Sequence, residues 1–118
     1  MSTELLGVSF DAHNPSELAQ FWAQALRRTV SDGATDQFAA VPADDDPSRG
    51  PLLMFHRVPE GKAVKNRVHL DLKAADIEAE ADRLVGLGAQ QVRALSENNN
   101  QWISFTDPEG NEFDLVAG

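Results

Sequence analysis

The sequence predicts an α+β fold made of two tandem units, each a strand, a helix and three further strands. Three observations predict it. Leu6–Phe10 and Val68–Leu72 both alternate apolar and polar residues with the period of a strand buried on one face. Each is followed by a capping residue and an apolar stripe at helical spacing. The two stretches also superpose at a single offset, which brings Gly7 onto His69, Phe10 onto Leu72 and Asn14 onto Asp76, so the chain is an internal duplication. The first module covers residues of about 4–58, a linker 59–65 and the second module about 66–118 of one domain over 1–118.

In the first module, Leu6, Val8 and Phe10 form the buried face of the opening strand. Asn14-Pro15-Ser16-Glu17 then opens a helix: Asn14 caps, Pro15 suits the first helical position and Glu17 reaches back to the cap. Leu18, Phe21, Trp22, Ala25 and Leu26 make its apolar stripe. Between Thr29 and Ala43 the pattern predicts two short strands joined by a turn at Asp32-Gly33. Asp44 to Gly50 is rich in turn formers and charge and is expected as an exposed loop. Its three adjacent aspartates lack the ligand spacing of a calcium loop. Pro51–Val58 is a mostly apolar strand ended by the turn Pro59-Glu60-Gly61-Lys62.

The second module repeats this order. Val68, Leu70 and Leu72 line its first strand, Asp76 caps a helix carrying Ile77, Ala81, Leu84 and Val85, and Gly86-Leu87-Gly88 ends it. Val92–Leu95, Gln101–Thr106 and Asn111–Val116 supply three strands, the last two joined by Asp107-Pro108-Glu109-Gly110-Asn111.

Composition narrows the function. The 118 residues include no cysteine, so nothing in the fold calls for an oxidising compartment. Ten basic against nineteen acidic residues leave a net charge of −9, which repels a phosphate backbone, and no nucleic-acid partner is expected. No apolar run has the length of a membrane span, and the opening MSTELLGVSF has no basic stretch followed by an apolar one. A soluble cytoplasmic protein with no membrane partner is expected. A phosphate-binding glycine loop, a nucleophile elbow and a paired-cysteine metal motif are all missing.

The duplicated unit, the stretch NRVHLDLKAADIEAEADRLVGLGA and the closing DPEGNEFDLV together resemble the glyoxalase, bleomycin-resistance and extradiol-dioxygenase superfamily, also called vicinal oxygen chelate. Within it the chain is most similar to the small bacterial glyoxalase-like domains. The resemblance implies two βαβββ modules forming a curved mixed sheet with helices outside, a ligand cleft between the modules, and a homodimer. Strand parity places residues relative to such a cleft, because neighbours on a strand face opposite sides. If Val68, Leu70 and Leu72 lie under the helix, His69 and Asp71 face the cleft. By the same rule Met54 and His56, Trp102 and Ser104, and Glu112 and Asp114 turn inward.

The resemblance also implies four metal-ligand positions on the first and last strands of the modules, falling here on Gly7, His56, His69 and Asp114. Gly7 has no donor, and Asp114 is one methylene shorter than the glutamate usual in the family. His56, His69 and Asp114 would suit one divalent Zn²⁺, Mn²⁺, Fe²⁺ or Ni²⁺ and leave positions for two substrate oxygens, the chemistry of a metal-dependent lyase, isomerase or dioxygenase. The plainer alternative leaves His56 and His69 as polar groups of a wet cleft. His56, His69, Asp71, Trp102, Ser104 and Met54 are the expected ligand-binding residues, with Trp102 offering a flat face to a planar molecule. Glu112 is the candidate proton-transfer base. A non-catalytic protein that sequesters an antibiotic-like compound is the alternative function. His13 reads as a turn residue and Trp22 as core.

Overall fold

A computed structural model describes residues 2–118. The chain divides into two compact units, Met1–Gly61 and Lys62–Gly118, with the boundary inside the expected linker. Each has its own mixed sheet with a helix against one side, the tandem βαβββ-like arrangement expected from the duplication.

The first unit contains β1 (Gly7–Ala12), α1 (Pro15–Leu26), β2 (Phe38–Val41) and β3 (Leu52–Arg57). β3 is central, parallel to β1 and antiparallel to β2. Asn14 caps α1 by accepting the Glu17 backbone N–H at 3.3 Å, and Pro15 occupies the first turn. The stripe predicted from the sequence is the buried one: Leu18, Phe21, Trp22 and Ala25 are all buried. Phe10 joins helix to sheet, its ring 5.4 Å from Trp22 and 4.9 Å from Phe55.

Two expectations are corrected here. Leu6 precedes β1 and stays 74% exposed instead of packing under α1. The stretch Thr29–Ala43 holds one strand, not two. Ser31 and Thr35 donate backbone N–H bonds to Ala40 and Phe38, so the chain runs back along β2 without forming a ladder. Local bonding explains why: the Thr35 hydroxyl accepts the N–H groups of Gln37 and Phe38, folding the segment into a turn. Asp44–Gly50 is an exposed loop as expected, with a short 3-10 turn over Pro47–Arg49. It is pinned by the Arg28 guanidinium, which donates to the carbonyls of Pro51 at 2.6 Å and of Arg49.

The second unit contains β4 (Leu70–Ala74), α2 (Ile77–Leu87), β5 (Gln90–Glu97), β6 (Asn100–Thr106) and β7 (Glu112–Ala117), with sheet order β4-β7-β6-β5. β4 and β7 are parallel, and the other neighbours antiparallel. Asp76 caps α2 through the Ala79 N–H at 3.1 Å, and Gly88 ends it at φ 122°, a conformation that favours glycine. Ile77, Ala81 and Leu84 face the sheet, whose buried side carries Ile103, Phe105, Phe113 and Leu115. β4 begins at Leu70, so Val68 is 75% exposed, a second departure from the expected strand. Asn98 and Asn99, both with positive φ, close the β5–β6 hairpin in the two-residue turn whose twist matches the strands.

The β6–β7 turn is organised by Asp107, 3% exposed, whose carboxylate accepts the N–H groups of Glu109 and Asn111 and the Asn111 side-chain amide. At the start of β7, Glu112 accepts the Asn66 backbone N–H at 2.9 Å and pairs with Lys62 at 3.0 Å. Partial burial raises the Glu112 pKa, but the Asn66 hydrogen bond and the Lys62 ammonium outweigh it, and the net shift is downward.

Gly7 has a steric reason. A Cβ there would sit 2.5 Å from the Leu52 carbonyl oxygen and 3.1 Å from the Leu52 Cβ, on the strand paired with β1. Both obstacles belong to β3 close to its backbone and cannot swing aside. Gly7→Ala should therefore lower stability by about 1–3 kcal/mol in denaturant melts, and any larger side chain by more. An unchanged midpoint would show that β1 and β3 are less close than described.

Because the Glu112 pKa is lowered on folding, its contribution is present above the usual glutamate value of 4.5 and fades as pH falls through the lowered one. Wild type should thus exceed Glu112→Gln in stability by a constant amount at neutral pH, the difference shrinking in acid. A difference that grows on acidification would reverse the assigned sign.

Candidate functional site

The second sheet presents two unlike faces. Strand alternation sends Ile103, Phe105, Phe113 and Leu115 toward α2 and leaves Trp102, Ser104, Glu112 and Asp114 on the other side, as parity predicts. Register then aligns the polar residues crosswise: Asp71 lies beside Asp114, Asp114 beside Ser104, and Ser104 beside Arg93. A row of four polar side chains therefore crosses β4, β7, β6 and β5.

At one end of this row, His69, Asp71 and Asp114 converge, with one donor atom from each lying within 4.8 Å of the others. His69 stands just before β4, and its Nδ1 is 3.3 Å from Asp71 Oδ1. The Ser104 hydroxyl donates to Asp114 Oδ1 at 2.8 Å, which orients that carboxylate and leaves its second oxygen available. Two carboxylates on adjacent strands repel one another, and the electrostatic remedy is a cation between them.

The donor set can be tested against a divalent ion. Ligand atoms at about 2.0–2.2 Å from one centre lie at most roughly 4.4 Å apart, so small side-chain rotations bring all three into a common shell. One imidazole and two carboxylates form a borderline-to-hard set compatible with Mn²⁺, Fe²⁺ or Zn²⁺. The residues fit a divalent metal. Asp71, expected from the sequence to bind ligand, stands inside the donor set. Gly7 brings no donor.

A groove of about 440 Å³ opens on this face, lined among others by His69, Arg93, Trp102, Ser104, Glu112 and Asp114. Trp102, half-buried on β6, forms part of its wall. Glu112 stands at its rim tied to Asn66 and Lys62, which make it a weaker base than a free glutamate. Met54 and His56 belong to the first unit: both are on β3, Met54 half-buried and His56 exposed with its ring 5.0 Å from that of Phe38. His13 is exposed at the turn before α1, and Trp22 is core.

Arg93 and Lys65 are groove residues that reading the sequence did not single out. Arg93 was hidden by a register shift between Gln91 and Arg93, which simple alternation does not anticipate. For Lys65, in the linker before β4, no periodic pattern existed to use.

No curated protein matches the chain. Solved structures with the same fold are numerous. It is similar to a glyoxalase/bleomycin resistance protein/dioxygenase family enzyme from Burkholderia phytofirmans PsJN, at 12% identity and TM-score 0.78 over 98% of each chain. It is also similar to the fosfomycin resistance protein FosX from Mesorhizobium loti, at 16% identity and TM-score 0.75 over 100% of this chain and 94% of that one. Lactoylglutathione lyase from Agrobacterium tumefaciens shares 11% identity at TM-score 0.67, over 100% and 96%. At such identities the likeness is one of fold. The description of the glyoxalase-like domain matches residues 7–116, nearly the whole chain, and the protein therefore belongs to the glyoxalase-like domain family of the vicinal oxygen chelate superfamily.

Proposed function

We propose that the protein binds a small oxygenated organic molecule in the groove of its second unit and converts it with the help of a divalent metal held by His69, Asp71 and Asp114. The observation that carries this reading is the convergence of these three donors on the groove-lining face, with Ser104 bracing one of them. A bound divalent ion would supply Lewis-acid polarisation of two neighbouring substrate oxygens, the chemistry shared by lyase, isomerase and dioxygenase reactions. The chain's own residues hold and orient. Ser104 fixes the rotation of the Asp114 carboxylate, and Asp71 Oδ1, 3.3 Å from His69 Nδ1, holds that imidazole beside the donor set. Trp102 offers a flat apolar wall along which a planar substrate can lie.

A second reading rests on the same groove without chemistry. The His69–Asp71 contact is satisfied without a metal, and Trp102 suits an aromatic compound, as in a protein that sequesters one. Metal content separates the two.

Purified without chelators and loaded with Mn²⁺ or Zn²⁺, wild type should carry about one ion per chain. His69→Ala and Asp114→Ala should abolish stoichiometric binding, and Ser104→Ala should weaken it by about 10–100-fold. Elemental analysis and calorimetry read this directly. A wild-type protein that takes up no ion at saturating Zn²⁺, Mn²⁺, Fe²⁺ or Ni²⁺ would end the metalloenzyme reading and leave sequestration.

A further inference from the structure

The groove carries cations in a protein of opposite net charge, and one of them, Arg93, stands on the sheet edge opposite β4. Arg93 and Lys65 both line it, and among the described residues neither forms an ion pair or hydrogen bond with another side chain. The other lysine nearby, Lys62, is engaged with Glu112 at 3.0 Å. In a chain of net charge −9, two unneutralised cations on one concave surface form a local feature that the average does not predict.

Arg93 reaches this face through the irregularity in β5. Gln91 pairs with Phe105, and without an extra residue Val92 would oppose Ser104 while Arg93 opposed Ile103, on the other face of the sheet. Instead the ladder absorbs Val92 as a bulge and Arg93 opposes Ser104. Arg93 thereby joins the cross-strand row that leads through Ser104 to Asp114. Arg93 starts two strands from Asp114, roughly 10 Å at ordinary strand spacing, with Ser104 between them. That is room for one small molecule held at both ends.

We propose that the groove is selective for a small organic anion, whose carboxylate or phosphate end is bound by Arg93 with support from Lys65 while its oxygenated end points toward His69, Asp71 and Asp114. The proposal deepens the reading of this groove as a small-molecule site and names its substrate class. A guanidinium donates two parallel N–H bonds to a carboxylate or phosphate, whereas an ammonium acts as a point charge, so Arg93 sets orientation and Lys65 adds attraction.

The test compares 3,4-dihydroxybenzoate with the neutral 4-methylcatechol and the cationic 3,4-dihydroxybenzylamine, by calorimetry on the metal-loaded protein. Catechol phosphate esters serve as the phosphate arm. The anionic probes should bind about tenfold or more tightly than the neutral one, with the carboxylate-to-phosphate ratio reporting which anion fits. Arg93→Ala should erase this preference, Arg93→Lys should keep part of it, and Lys65→Ala should reduce it less. None of the three should alter Mn²⁺ stoichiometry. Benzoate and benzyl alcohol on the metal-free protein provide the independent arm: an Arg93-dependent preference for benzoate would survive even if no metal were ever bound. Equal affinity for anionic and neutral probes, tightest binding of the amine, an anion preference indifferent to Arg93, or no binding of any probe at millimolar concentration would each overturn the proposal. Loss of Mn²⁺ binding in His69→Ala with the benzoate preference intact supports it separately from the metal reading.

Discussion

The register of β7 against its two neighbours is the constraint on which the candidate site depends. Because successive side chains on a strand point to opposite faces, a slip by one residue would send Asp114 into the helix-facing core and Phe113 or Leu115 into the groove. Burial of Phe113, Leu115, Ile103 and Phe105 under α2 holds the register, since any slip would exchange large apolar side chains for a carboxylate and a hydroxyl. The apolar face thus stabilises the polar one. The Asp107 turn reinforces it by setting the length of the β6–β7 connection, and the Asn66–Glu112 bond ties down the entrance to β7.

The two copies of the duplicated unit have taken different parts. They share the Asn/Asp cap, the opening strand and the helix at corresponding positions. The first has an aromatic core of Phe10, Trp22 and Phe55, and its strands approach so closely at Gly7 that no side chain fits. The second places His69 at the equivalent position, just ahead of its strand and outside the ladder, where a ring has space. The corresponding positions therefore differ in packing: a side chain at Gly7 is blocked by Leu52, whereas the His69 side chain is 40% exposed.

Electrostatics in the second unit are set by neighbours more than by net charge. Glu112 is neutralised by Lys62 and hydrogen-bonded by Asn66, while Asp71 and Asp114 lie side by side with His69 as the adjacent basic side chain. Arg93, on β5, and Lys65, ahead of β4, line the same groove. A bipolar surface of this kind arises because cross-strand neighbours are chosen by pairing, which a sum over the sequence ignores.

Period-two alternation and helix caps made much of this legible in the sequence: the duplication, both helices, the shared face of Trp102, Ser104 and Asp114, and the family resemblance carried by the DPEGNEFDLV ending. These are local properties, encoded within a few residues of each position. Only the tertiary structure decided that Thr29–Ala43 forms one strand, that Leu6 and Val68 stay outside the sheets, that Asp71 joins His69 and Asp114, and that Arg93 faces the groove. The first depends on competition between turn hydrogen bonds and a ladder, and the last two on lateral register and a bulge. Each is a relation between residues far apart in the chain, whose outcome is selected by the burial of the whole sheet and has no local signature.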